Sequence, residues 1–203
     1  MSAATDRLAW LEAKAPILFL TGGALYTVFV GNIVLSTFAG TSVALADTAA
    51  WVAWVLILLG TLGLYPALVE RRPYLARAAA GLSVVPLVCS TIVAVGTLVE
   101  AAGILSEAPG PLGLAPFVAI FTFYPVMALL GIAVLLTDVH PRAVGVLMLV
   151  LASGFPLFWT VLSSLPAHVS NGVDLVLYLG IGLALLTGGV QADGAEPAAD
   201  PTA

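Results

Sequence analysis

Apolar residues run in six long stretches, and charged residues fall only between them. The charge-free windows lie between Lys14 and Asp47, Asp47 and Glu70, Arg77 and Glu100, Glu107 and Asp138, Arg142 and Asp174, and Asp174 and Asp193. They hold 32, 22, 22, 30, 31 and 18 residues. A hydrocarbon core about 30 Å thick takes roughly 20 apolar residues of helix, because each residue rises about 1.5 Å. Five windows meet that length and the sixth approaches it. The windows are continuously apolar rather than alternating, which disfavours a β-barrel, and a helix satisfies its own backbone polar groups in lipid. The pattern therefore predicts an all-α, polytopic membrane bundle of six transmembrane helices, over about 16–39, 51–69, 75–98, 116–136, 143–165 and 173–190.

These spans form one domain over residues 1–191, followed by an acidic tail, 192–203, whose composition predicts disorder. Pro16 suits the first turn of span 1, where its missing N–H costs nothing. Trp51 and Trp54 are expected at a membrane interface. Pro109-Gly110-Pro111 interrupts the longest loop, between spans 3 and 4. Ala44-Leu45-Ala46 resembles a signal-peptidase site, but Pro16 to Ala39 is longer than the 7–15 residues of a signal h-region, so it reads as a retained span.

The signs of the charges add an orientation. Arg7 and Lys14 precede span 1, Arg71, Arg72 and Arg77 join spans 2 and 3, and Arg142 joins spans 4 and 5. The remaining loops carry Asp47, Glu100, Glu107 and Asp174 without a basic residue. The positive-inside rule puts both termini in the cytoplasm and the chain in the cell membrane. The composition, 61% hydrophobic and 8% charged, agrees with burial in lipid, since soluble domains carry about 25% charge. A net charge of −5 without a basic stripe excludes nucleic acid as a partner. Membrane lipids, and a membrane-protein partner or second copy, are the expected ones. The acidic, Ala- and Val-rich text resembles that of a salt-loving microbe.

Candidate chemistry is sparse. Pro86, Pro125 and Pro156 lie near the middle of spans 3, 4 and 5, and each frees the carbonyl four residues earlier, at Leu82, Phe121 and Ala152. Such carbonyls and kinks can shape a polar site, although proline is also common in membrane helices. Asn32 is a carboxamide inside an apolar span and needs a partner. Tyr26 and Tyr124, with Ser83, Ser90, Thr91, Ser153, Thr160, Ser163 and Ser164, add a mildly polar lining that interhelical hydrogen bonds also explain. Asn32, Tyr26, Pro86, Tyr124, Pro125 and Pro156 are thus the candidate binding residues. Glu100, His168 and Asp174 are the candidate metal ligands at the acidic rim, without ligand spacing inside one helical turn. Gly60, Gly63, Gly180, Gly182 and Gly188 suit close helix packing.

No cofactor is expected. His140 and His168 fall at opposite ends of their spans, which disfavours a bis-histidine haem, and the sole Lys14 is too peripheral for a retinal Schiff base. Cys89 is alone, so no intramolecular disulfide or Cys-pair chemistry is open to it. No ionisable residue is expected at the membrane midplane, which argues against a pump. Leu58-Leu59-Gly60, Arg71 and Pro86-Leu87 recur as Leu129-Leu130-Gly131, Arg142 and Pro156-Leu157, a pattern compatible with a transporter repeat or with chance. The expected activity is passive permeation or binding of a small neutral or weakly polar molecule through kinked spans 3–5. A noncatalytic accessory subunit of a larger complex is the alternative, and a lipid-modifying enzyme a weaker one.

Overall fold

A computed structural model describes residues 3–104, 113–160 and 165–193, with side chains over 10–104, 113–154 and 165–188. All regular elements among the described residues are helices: α1 Ala3–Ala39, α2 Ala46–Gly63, α3 Tyr65–Arg71, α4 Pro73–Ala101, α5 Ala115–Leu135, α6 Arg142–Thr160 and α7 Ala167–Asp193. Five hydrophobic helices are long enough to cross a membrane: α1 from Trp10, α2 continued by α3, α4, α5, and α7 to Gly188. The apolar, described part of α6 is shorter, Arg142–Gly154.

Three boundaries differ from the charge pattern. Helix α1 begins at Ala3, so Pro16 lies inside it rather than in its first turn. The Ala, Leu, Glu and Lys residues before Pro16 are strong helix formers and carry the helix past the edge of the apolar window. Helix α7 begins at Ala167 rather than near residue 173 and continues to Asp193, just past the boundary drawn at 191. The second span is broken at Leu64, because Pro66 has no N–H and its ring opposes the carbonyl of Leu62. Helix α4 closes on Gly103 at φ 70°, with Gly103 N–H to Glu100 O at 2.9 Å and Ile104 N–H to Val99 O at 3.1 Å. That pair of bonds satisfies carbonyls a helix end would leave bare. Glu107, Pro109–Pro111, Ser163, Ser164 and the tail from 194 lie outside the described residues.

The long helices close a ring. Neighbours in space are α1 and α2, α2 and α4, α4 and α5, α5 and α6, α6 and α7, and finally α7 and α1. Glycines allow close seams: a Cβ on Gly63 would lie 2.7 Å from Leu11 O, and one on Gly182 would lie 2.8 Å from Leu20 Cγ. The Gly60 and Gly131 of the weak repeat pack on different neighbours. Gly60 lies against Phe19 of the preceding helix, whereas Gly131 lies against Gly145 and Leu149 of the following one.

Aromatic side chains fill the ring. Trp54 stacks on Phe123 with ring centres 4.5 Å apart, Phe123 meets Tyr178 edge-on at 6.3 Å, and Tyr178 meets Tyr26 edge-on at 5.4 Å. Phe123 and Tyr178 are fully buried. Trp54 is therefore a core residue rather than an interface anchor, and Trp51 leans on its edge at 5.4 Å. The exposed large aromatics near the opposite end are Trp10 and Tyr74.

Candidate functional site

The ends of α1 and α4 and the starts of α2, α5 and α7 meet at one end of the ring. Between them lies a cavity of about 250 Å³, the vestibule, walled by Tyr26, Phe29, Trp51 and Trp54, with Asp47 and Asn171 contributing polar atoms. Ala50 and Ile120 complete it. Behind its walls lie Phe123, stacked on Trp54, and the buried Tyr178, edge-on to Tyr26. A second cavity of about 260 Å³ shares Asp47 and Trp51 and extends toward Thr97, Glu100 and Pro116. Thr48 Oγ1 donates to Thr97 Oγ1 at 3.0 Å beside it, joining α2 to α4.

Helix α7 supplies the polar stripe. Asn171, Asp174 and Tyr178 follow at spacings of three and four, which aligns them on one face. Asn171 Oδ1 accepts a 2.6 Å hydrogen bond from the Tyr26 hydroxyl, while its Nδ2 donates to Ala167 O at 2.8 Å. Asp174 lies about one turn deeper, seven residues into α7, or about 10 Å along its axis. The field of this partly buried carboxylate reaches the hydroxyls of Tyr26, Tyr124 and Tyr178. The Tyr178 hydroxyl is buried without a hydrogen-bond partner; the Trp54 indole N–H is beside it but lacks the geometry of a bond.

Asp174 is the residue the charge pattern misjudged. As the divider between two windows it reads as a loop carboxylate, yet the early start of α7 carries it inside an apolar helix. The signal was available in the spacing of Asn171, Asp174 and Tyr178, provided the helix was started before Val173.

The other candidates disperse. Tyr26 and Tyr124 gather around Asp174. Asn32 instead accepts a 2.6 Å hydrogen bond from the Val43 N–H, folding the α1–α2 connection back on α1. Pro86 is buried in α4, between the buried Ser83 and Ser90, while Pro125 is exposed on the outside of the ring. Pro156 lies in α6, but its side chain is outside the described ones. The hydroxyls serve their own helices more than their neighbours: Ser83, Thr91 and Ser153 bond to carbonyls three or four residues earlier. Glu100 is exposed and the His168 ring rests on Phe38 at 5.6 Å. Among the described residues no three His, Cys, Asp or Glu side chains form a metal-holding group, so Glu100, His168 and Asp174 are not brought together.

At the other end, Arg71, Arg72, Asp138 and Glu70 surround an open depression of about 580 Å³ between the α2–α4 and α5–α6 turns. The ion pair Arg142–Asp138, 3.4 Å and exposed, lies on the same turn. Exposed pairs of this sort contribute little. No protein-family model, curated protein or solved structure matches the chain.

Proposed function

We propose that the protein is a six-span binding protein of the cell membrane, with both termini cytoplasmic, that takes a small solute into the vestibule without conducting it through an open pore. The observation that carries this reading is the cavity of about 250 Å³ at one end of the ring, with the fully buried Phe123 and Tyr178 packed behind its Trp54 and Tyr26 walls. A carboxylate inside a membrane helix is costly and is retained where it serves a ligand or an ion, and Asp174 is such a group. Support for the sixth span comes from the position of α6 in the closed ring, between α5 and α7. Support for the orientation comes from Arg71 and Arg72 beside the α5–α6 turn that carries Arg142.

The test is accessibility. In a Cys89→Ser background, Ala50→Cys puts a thiol on the vestibule wall. A membrane-impermeant cationic methanethiosulfonate should label it on intact cells, and purified protein in liposomes should not accelerate swelling in glycerol. Labelling only after the cytoplasmic face is opened, or glycerol flux above protein-free liposomes, would overturn the reading.

A second reading, an accessory subunit, draws on α4. Val84, Val88, Ile92, Val95 and Leu98 are exposed along it, an apolar face that a neighbouring helix or lipid would cover. Native mass spectrometry after mild extraction separates the two, because an accessory subunit carries a stoichiometric partner.

A further inference from the structure

The vestibule has a chemical bias that narrows its ligand. Its walls are two indoles, a phenol and a phenyl ring, from Trp51, Trp54, Tyr26 and Phe29. Aromatic faces attract cations, indole most strongly, and the attraction grows where water is excluded. Formal charge in and under the cavity is of one sign: Asp47 at the mouth and Asp174 a turn below Asn171. None of the lining residues is basic. The described basic side chains are those of Lys14 in the first half of α1, Arg71 and Arg72 at the α3–α4 junction, Arg77 early in α4 and Arg142 at the start of α6, none of which lines the cavity.

The Tyr178 hydroxyl lies behind the cavity wall, next to the Trp54 indole, rather than on the wall itself. It is fully buried, lacks a hydrogen-bond partner and stands one helical turn beyond Asp174 on the same face. A bare metal ion suits the site poorly, because its surroundings are rings rather than three or more ligating groups. The cavity is also smaller than the roughly 300–1,000 Å³ of drug-sized sites, which limits the ligand to a few heavy atoms.

We propose that the vestibule binds a small organic ammonium ion, held by the faces of Trp51, Trp54 and Tyr26, with Asp174 as its countercharge. The proposal rests on the binding reading above and names the ligand class of that same site. The ammonium head lies against the rings, and Asp174, one helical turn below the lining Asn171, balances its charge.

The test compares choline and tetramethylammonium with 3,3-dimethylbutanol, which keeps the shape of choline without its charge. Binding to the purified full chain in detergent is followed by tryptophan fluorescence and by calorimetry. Choline and tetramethylammonium are expected to bind at least tenfold more tightly than the neutral alcohol. Asp174→Asn should remove that preference while leaving the alcohol unaffected. Should Asp174→Asn fail to fold, Trp51→Leu provides the second variant and should weaken choline at least tenfold. Choline should also slow labelling of Ala50→Cys in the chain that keeps Asp174. Equal binding of choline and the alcohol would overturn the ammonium assignment and leave a binding vestibule. Absence of binding by all three probes in a chain whose Ala50→Cys labels normally would overturn it as well. A thiol at that position closed to reagent from outside would instead remove the binding reading itself.

Discussion

The Tyr26 hydroxyl donates a 2.6 Å hydrogen bond to Asn171 Oδ1, tying α1 to α7 across 145 positions of sequence. The Asn171 amide is oriented for it by its own bond to Ala167 O. Both Tyr26→Phe and Asn171→Ala remove the bond. Interhelical hydrogen bonds in membranes contribute about 0.6 kcal/mol on average, and up to about 1.7. A double-mutant cycle on unfolding in detergent should therefore give a coupling of about 0.5–1.5 kcal/mol. A coupling of zero would mean the two side chains act independently.

The α1–α2 seam depends on missing side chains. A Cβ on Gly63 would meet Leu11 O at 2.7 Å and Ala15 Cβ at 2.9 Å, and backbone cannot give way cheaply. Gly63→Ala should destabilise the protein by about 1–3 kcal/mol, the usual range for overpacking. Gly81 in α4 has open space around it, so Gly81→Ala should be neutral or stabilising by up to about 1 kcal/mol. Thermal unfolding of the two variants side by side checks the contrast.

His140 makes stability depend on pH. Burial pulls its imidazole below the ordinary value of 6.5, partly opposed by the Leu64 carbonyl, and its Nε2 has no hydrogen-bond partner. Asp138 and, from α7, Thr187 line the same depression of about 380 Å³. A lowered value means that the folded chain holds the proton less tightly than the unfolded chain does. The stability contributed by the neutral ring is complete above about pH 6.5 and is lost as the pH falls through the folded value. The unfolding midpoint should drop between about pH 7 and pH 5 in the native chain, and His140→Gln should flatten that drop.

Phe123 packs behind the Trp54 wall of the vestibule. Phe123→Ala removes a fully buried ring stacked on Trp54 and edge-on to Tyr178 and Tyr124. A loss of about 3–5 kcal/mol is expected, the range for large aromatic-to-alanine changes in cores. Liposomes carrying the variant should swell faster in glycerol than those with the native chain, since the ring packed behind the cavity wall is gone.

Asn32 serves the α1–α2 connection rather than a ligand. Asn32→Ala frees the Val43 N–H, so hydrogen exchange at that amide should accelerate about 5- to 30-fold, in line with about 1–2 kcal/mol of local stabilisation. Binding in the vestibule should be unchanged.

Much of the helical layout was legible because apolar length is a local property: the windows 78–99 and 108–137 each produced a helix near its expected place, and 48–69 produced the pair α2 and α3. Depth was less legible than length. Pro66 breaks α2 from α3, yet it sits inside a window that hydropathy reads as continuous. Trp54 turned inward because Phe123 stands opposite it, and only the order of helices around the ring brings those two together. Asp174 was hidden by its own charge. It divides two windows, whereas Ala167–Gly172 ahead of it is neutral enough to join the helix and draw it inside. Tyr26 and Tyr124 could be named as polar candidates from residue type, but their meeting around Asp174 requires α1, α5 and α7 to be neighbours of one space.

The ring has a consequence for how the molecule is made. Its seam joins the first helix to the last, and Asn171 and Asp174 both arrive with α7. Chains emerge from their N-terminal end first, so Tyr26, Trp51 and Trp54 enter the bilayer while their counterpart wall is still unsynthesised. A nascent chain halted before residue 167 would carry an open crescent with its aromatic face bare. The vestibule is thus a product of completion, assembled when the final span inserts and latches the crescent shut.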